Sequence, residues 1–320
     1  MRKIAVLGLL AALGLLGCPG TARDFSVPDK DADTPVPDAA VNVEAGPPVP
    51  VRVVNWNTQN FYNDKRDSLE VPVADEIVLT SQEYQQKLSG IAGVLTSLTP
   101  DVIVIEEIEN QAVMDDLGDA LGGYPNRHIT QGNDPRGIDI AILSKFPITS
   151  VVSHKDEFFK ASTDPSKTFV FARDVLEAHM VINGRQVVFF GVHWKSGTDA
   201  DSQLKRIAEA EQTKKIVQQV EFDDPTTFSI VLGDFNSDKD TPQMAALKGT
   251  DLVSATEIIP VADRWSVDYG SKMLFDDQII DSSAAGGLDA EYPAKVNILH
   301  SGTVNALSDH SPVLATYLVN

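Results

Sequence analysis

Runs of Val, Ile, Leu and Phe that stop abruptly at polar residues limit what this chain can fold into. The sharpest is Ile230-Val231-Leu232-Gly233-Asp234-Phe235-Asn236-Ser237. An apolar run without polar alternation is the pattern of a strand buried on both faces. Here it halts at Gly233 and delivers Asp234 and Asn236, which in extended chain point to the same side. A carboxylate can take a proton from water, and a carboxamide beside it both donates and accepts. An Asx turn closing a strand would use the same residues, so the weight comes from recurrence.

The same arrangement recurs along the sequence. Val51–Val54 leads into Asn55-Trp56-Asn57, and Val102–Ile105 runs into Glu106-Glu107. Strand alternation predicts that only one of those two glutamates enters a shared pocket. Val187–Val192 ends in His193, with Lys195 on the same face if the strand continues. Arg136 and Asp139 precede Ile140–Leu143, Arg173 follows Phe171-Ala172, and Asp276-Asp277 precede Ile279-Ile280. Asp309-His310 stands before the closing strand Val313–Leu318, where Pro312 favours extended backbone. Two helices separate the runs. One opens on the capping box Thr80-Ser81-Gln82-Glu83 and stops at Pro100; the other spans Asp201–Val220, with Arg206 the charge least suited to a solvated face. Asn183-Gly184 marks a hairpin. Strand ends that converge on a cleft would gather Asn57, Glu107, His193, Asp234, Asn236, Asp309 and His310 into one pocket. That inventory holds hard oxygens, two imidazoles and no thiol, which suits Mg²⁺, Mn²⁺ or Ca²⁺ better than zinc.

Arg2 and Lys3 followed by the apolar Ile4–Leu16 read as an export signal, too short to span a membrane. Leu15-Leu16-Gly17-Cys18 resembles a bacterial lipobox, which makes Cys18, the only cysteine, the expected lipidation site and excludes an internal disulfide. Pro19 follows it instead of an inner-membrane retention Asp, so the expected location is the outer membrane, facing periplasm or exterior. Residues 19–50 read as a Pro/Asp/Ala-rich tether and residues 51–320 as the folded domain, expected to be monomeric. With 46 acidic against 26 basic residues the formal charge is −20. That argues against tight, non-catalytic nucleic-acid binding, though a carboxylate-rich metal site is itself acidic.

The order of these pieces is itself informative. Asn-Trp-Asn at 55–57, Ile-Glu-Glu-Ile at 105–108, His193, Gly-Asp-Phe-Asn at 233–236, Asp277 and Ser-Asp-His at 308–310 together resemble the endonuclease/exonuclease/phosphatase superfamily. That superfamily includes pancreatic-type DNases, abasic-site endonucleases, sphingomyelinases and inositol-polyphosphate phosphatases. The resemblance implies an α/β fold, a four-layer α/β/β/α sandwich of two packed mixed sheets, with the site at its upper rim. It implies Glu107 as the main metal ligand beside Asn57 and Asp309, Asp234 acting on the attacking water, and Asn236 and His310 on the scissile phosphate. It further implies Asp277 as the acid orienting His310 and His193 as the second imidazole. Asp139 is the expected partner fixing the His193 tautomer, and Arg136, Arg173 and Lys195 are the expected holders of substrate phosphates. Two departures stand out: Glu106 occupies a position where many members have Gln, and Asp276 competes with Asp277 for the orienting role. The expected activity is Mg²⁺-dependent phosphodiester hydrolysis, first of extracellular DNA or RNA. The alternatives are a phospholipid or inositol-phosphate substrate at the same site, and a non-catalytic binding module.

Overall fold

The computed structural model describes residues 47–68, 71–72 and 74–320. The export signal, Cys18 and most of the expected tether lie outside the described residues. Strand β1 (Val49–Phe61) begins two residues earlier than its apolar run suggests, because Val49 and Pro50 already pair with Val319 and Leu318. Helix α1 (Ser81–Leu98) starts on the Thr80 capping box and buries Tyr84, Leu88, Ile91, Leu95 and Leu98, the stripe that the sequence predicts. Next come β2 (Val102–Ile108), α2 (Gln111–Leu121), β3 (Asn126–Thr130), β4 (Asp139–Ser144) and β5 (Ile148–Ser153). A small hairpin of β6 (Phe159–Ala161) and β7 (Asp164–Phe169) precedes β8 (Val175–Ile182) and β9 (Arg185–His193). Asn183 and Gly184 make the tight turn between the last two, both at positive φ, as a type I′ hairpin turn requires.

Helix α3 (Ala200–Asp223) leads to β10 (Phe228–Asp234), α4 (Pro242–Lys248) and β11 (Leu252–Ser254). The hairpin of β12 (Val267–Asp268) and β13 (Lys272–Met273) is followed by β14 (Asp276–Asp281), β15 (Asn297–Ile298), α5 (Gly302–Asn305) and β16 (Val313–Val319). Two six-stranded sheets result, ordered β15-β16-β1-β2-β4-β3 and β11-β14-β10-β9-β8-β5. Both are mixed, with β1/β2 and β9/β10 parallel and the other pairs antiparallel. Phe189, Ile230, Val53, Val104 and Tyr317 lie in the apolar layer between the sheets. Ile103 and Ile105 face α1 and α2 on one outer side, while Phe190 and Val231 face α3 and α4 on the other. This is the four-layer α/β/β/α sandwich. Each such side chain removed from water contributes about 1.5–3 kcal/mol.

One polar residue interrupts the inner layer. The Gln278 amide donates to Val53 O and Asn55 Oδ1, both at 3.1 Å, and its carbonyl accepts from Tyr317 Oη at 2.8 Å. It therefore fastens one sheet to the other just beneath the rim. Among the described residues no helix is long and apolar enough to cross a membrane.

Candidate active site

Sheet register decides which polar residues meet. Asp234 pairs directly with His193 across the parallel β9/β10 ladder and with Asp276 across the antiparallel β10/β14 ladder. Directly opposed residues share a face. Leu232, Phe189 and Ile280 lie in the inner layer, and the period of two carries Asp234, His193 and Asp276 onto that same face where the layer ends. Gly233 lets the strand turn here. Its φ is +132°, and a Cβ would sit 2.1 Å from Val192 O and 2.8 Å from Glu106 Oε1, so no side chain fits.

Asp234 is fully enclosed. Its Oδ1 accepts the Asn236 N–H at 2.7 Å, and its Oδ2 accepts from Asn57 Nδ2 at 3.0 Å and Asn236 Nδ2 at 3.3 Å. The Asx turn foreseen as the plain alternative is thus present as well as the functional cluster. Asn236 also donates to Trp194 O at 3.0 Å, so its amide braces Asp234 and the neighbouring loop instead of projecting donors outward. His193 Nε2 lies 3.4 Å and His310 Nε2 3.8 Å from Asp234 Oδ2. Burial raises the Asp234 carboxyl above its usual range, the positive His310 opposes this, and Asp276 adds to it.

The acid that orients His310 is Asp276, not Asp277. Asp276 Oδ2 accepts from His310 Nδ1 at 2.7 Å. Asp277, one residue on, faces the helix layer, takes the Ser254 hydroxyl and accepts the Gln278 N–H at 2.7 Å. Burial of His310 works against its charge, but the carboxylates of Asp276 and Asp234 prevail and hold the ring cationic. Its backbone is fixed too: Trp56 Nε1 donates to His310 O at 2.9 Å, and Ser308 Oγ links the His310 N–H to Asn57 O at 3.0 and 2.7 Å. These bonds explain why Asn-Trp-Asn and Ser-Asp-His occur together.

The expectation that one of Glu106 and Glu107 turns away fails, because β2 is irregular there. The β1/β2 and β2/β4 registers shift at this point, and Glu107 sits at φ +63°, opposite Gln59 and Asn60 at +52° and +54°. Such a bulge adds a residue and breaks the alternation of sides. Glu107 Oε2 accepts the Asn60 N–H at 2.8 Å, while Oε1 lies 3.8 Å from Arg136 and 3.9 Å from His193. Glu106 is completely buried with neither carboxylate oxygen hydrogen-bonded. Desolvation, with Asp276 and Asp234 close by, pushes its carboxyl far up and so favours the protonated, uncharged form.

That state has a measurable consequence. The unfolded chain releases the Glu106 proton above the ordinary carboxylate range and the folded chain keeps it, so this residue lowers stability as pH rises. In EDTA, Glu106→Gln is expected to gain on the wild type in melting temperature between pH 5 and pH 8, by at most about 1.4 kcal/mol per pH unit. A calorimetric gap that stays constant across that range would refute the protonated state.

Asp309 is exposed and accepts the Tyr269 hydroxyl at 3.0 Å. Lys87 bonds Gln59 O and lies within electrostatic reach of both Glu107 and Asp309. Burial pushes its ammonium down to about 8 against the pull of those carboxylates. Sequence reasoning missed Lys87 and Tyr269: the first sits in a helix whose apolar stripe absorbed the attention, the second in the turn between two two-residue strands with no periodicity. Glu107, Asn57 and Asp309 offer hard oxygen donors of the kind that suit a divalent cation, although Glu107 Oε2, Asn57 Oδ1 and Asp309 Oδ2 now accept from the Asn60 N–H, the Gln59 N–H and the Tyr269 hydroxyl. Asp234, Asp276 and His310 also bring possible ligand atoms within 4.8 Å of one another, but there the His310 ring already supplies the positive charge.

Arg136 and Arg173 share one carboxylate: Asp134 Oδ2 lies 3.0 Å from the first and 2.7 Å from the second. Burial works against Asp134, yet the two arginines hold it below the usual carboxylate range. Arg173 is buried and also donates to Trp194 O at 2.9 Å, whereas Arg136 is exposed on the Glu107 side. Strand β9 ends at His193, so the parity argument for Lys195 lapses. Its N–H donates to Glu209 at 2.8 Å and its carbonyl accepts from Arg206 at 2.7 Å. Glu209, wholly buried on α3, also takes the Ala172 N–H at 2.7 Å, so α3 fixes both loops that carry the expected phosphate-holding residues. The predicted Asp139–His193 bond is not formed: Asp139 Oδ1 accepts the Gly132 N–H at 2.7 Å, and His193 Nδ1 has no hydrogen-bond partner. Burial, then the charges of Arg173, His310 and Arg136, keep His193 neutral.

The sequence profile described as the Endonuclease/Exonuclease/phosphatase family matches residues 56–284. No curated protein matches the chain. Among solved structures, the human nocturnin catalytic domain with a bound sulfate anion aligns with a TM-score of 0.62 at 16% identity, covering 85% of this chain and 94% of that one. An endonuclease/exonuclease/phosphatase family protein from Bacteroides thetaiotaomicron gives 0.58 at 18% identity, over 85% and 99%. The mannosyl-6-phosphatase of the same organism gives 0.55 at 17% identity, over 83% and 98%.

Proposed function

Given that the chain belongs to the Endonuclease/Exonuclease/phosphatase family, we propose that it is an exported, Mg²⁺-dependent phosphodiester hydrolase acting first on DNA or RNA. The observation that carries this reading is Asp234, held by Asn57 and Asn236 between a neutral His193 and a cationic His310. Asp234 orients a water and takes its proton. His310, kept charged and aimed by Asp276, donates to a phosphoryl oxygen and stabilises the charge that develops there. His193 borders the same space from the Glu107 side. Arg136, exposed beside Glu107, binds a neighbouring phosphate of a polymeric substrate, while the buried Arg173 holds Asp134 behind it. Glu107, Asn57 and Asp309 would hold the divalent cation, which when bound polarises the phosphate and lowers the repulsion between it and the incoming water. Cys18 anchors the protein to the outer membrane through its lipid.

A second reading is favoured by one feature of the rim. A cavity of about 390 Å³, lined by Asp67, Glu109, Asn110, Gln131 and Asp139, offers hydroxyl-binding carboxylates and amides and is unsuited to a second phosphate. A phosphomonoester of a polyhydroxylated alcohol, such as a sugar or inositol phosphate, would fit it. Both readings are tested by one panel: bis-p-nitrophenyl phosphate, DNA, RNA, sphingomyelin, and sugar and inositol phosphates. The purified protein, extracted by detergent from the membrane fraction, is expected to hydrolyse at least the first with Mg²⁺ and to stop in EDTA. Turnover that survives EDTA, or a protein that leaves the membrane without detergent, would count against the metal or the anchor respectively.

A further inference from the structure

The β12–β13 hairpin carries an aromatic residue to the reacting centre. Val267 bridges to His310, Ser311 N–H donates to Ser266 O at 2.8 Å, and Ser266 Oγ accepts the N–H groups of Phe275 and Asp276 at 2.9 Å each. Trp265 stacks flat on His300 with centroids 3.8 Å apart, and Lys272 lies over its ring at 4.3 Å. The turn is closed by the Gly270 N–H on Asp268. A hairpin so braced does not present Tyr269 by accident. Its ring is 56% exposed, yet its hydroxyl reaches Asp309 Oδ2 at 3.0 Å and stands 3.5 Å from His310 Nε2.

Three groups therefore border one spot. His310 Nε2 is 3.8 Å from Asp234 Oδ2 and 3.5 Å from the phenol, longer than ordinary hydrogen bonds on both sides. The phenol and Asp234 are thus both close to any oxygen that accepts from His310 Nε2.

We propose that Tyr269 is a third donor to the phosphoryl group, with its hydroxyl held on Asp309 until a divalent cation takes that carboxylate. The proposal rests on the phosphohydrolase reading above. Freed from Asp309, the hydroxyl turns to the phosphoryl oxygen beside His310. Competition between phenol and cation for one carboxylate makes the two effects of removing the hydroxyl opposite in sign.

The test is Tyr269→Phe in the full-length protein. Mg²⁺ titrated calorimetrically without substrate is expected to bind about threefold more tightly than to the wild type, because Asp309 loses a competing donor. With bis-p-nitrophenyl phosphate and saturating Mg²⁺, kcat is expected to fall about 10- to 100-fold with KM little changed, as for a contact made in the transition state. The melting temperature should hold, since the hydroxyl is at the surface. Unchanged kcat, or Mg²⁺ binding that weakens, overturns the proposal, and so does a fall in kcat that merely follows a fall in melting temperature. Wild-type protein with no Mg²⁺-dependent hydrolysis would instead overturn the reading beneath it.

Discussion

Asp234→Asn is expected to lower kcat for bis-p-nitrophenyl phosphate by about 10³–10⁴-fold, the upper end of what a positioned general base contributes. The substitution keeps the shape of the side chain and can retain the bond from the Asn236 N–H, but its NH₂ group then faces the Asn57 and Asn236 amides that Oδ2 accepted from, so melting temperature is measured beside kcat. It removes the buried carboxylate that faces both His193 and His310. Burial raises the Asp234 carboxyl, so wild-type turnover should climb with pH as that proton leaves, and the residual activity of the variant should lack that climb. A variant retaining more than a tenth of wild-type kcat would return the base role to another group.

The second large effect separates two adjacent aspartates. Asp276→Asn should cut kcat by about 10²–10⁴-fold, because His310 loses the carboxylate that accepts from Nδ1 and that sustains its charge. Asp277→Asn should leave kcat within about threefold and lower stability by about 1–3 kcal/mol, since the charged acceptor for Ser254 Oγ and the Gln278 N–H is replaced by a neutral one. Kinetics and calorimetry on the pair decide the matter, and the reverse ranking would mean that the register of β14 is misassigned. A pH-rate profile adds a separate check. The limb belonging to His310 should move to lower pH in Asp276→Asn and stay in place in Asp277→Asn.

That pair also shows where the sequence stops being legible. The buried strands and the two long helices were readable from their runs of Val, Ile and Phe and their apolar spacing, whereas the sandwich was what the family resemblance implied. Asn57, Glu107, Asp234 and His310 were readable because each stands at the end of such a run. Choosing between Asp276 and Asp277 needed the register of β14 against β10, which sets Asp276 opposite Asp234; the sequence contains the alternation but not its phase. Glu106 and Glu107 went wrong for the opposite reason, since the phase was right until a bulge consumed one residue. The face of Lys195 was not legible because β9 ends at His193, and the Asp139–His193 bond was not, because Asp139 Oδ1 accepts from Gly132 while His193 Nδ1 has no hydrogen-bond partner. Glu209 looks like a solvated charge on α3, where only Arg206 stood out, yet both are buried holding loop backbone. No local pattern announces a charge whose partner is a main-chain group many residues away.

Gln278 gives the molecule a mechanical property that its chemistry alone would not. The metal-side groups ride on one sheet and Asp234, His193 and Asp276 on the other, so the site is a seam between two plates whose interdigitated apolar side chains set their spacing. The carboxamide that grips β1 and is itself gripped by Tyr317 joins the Asn57–Asp234 and His310–Asp276 bonds across that seam, so the two halves of the site are brought into alignment when the chain folds.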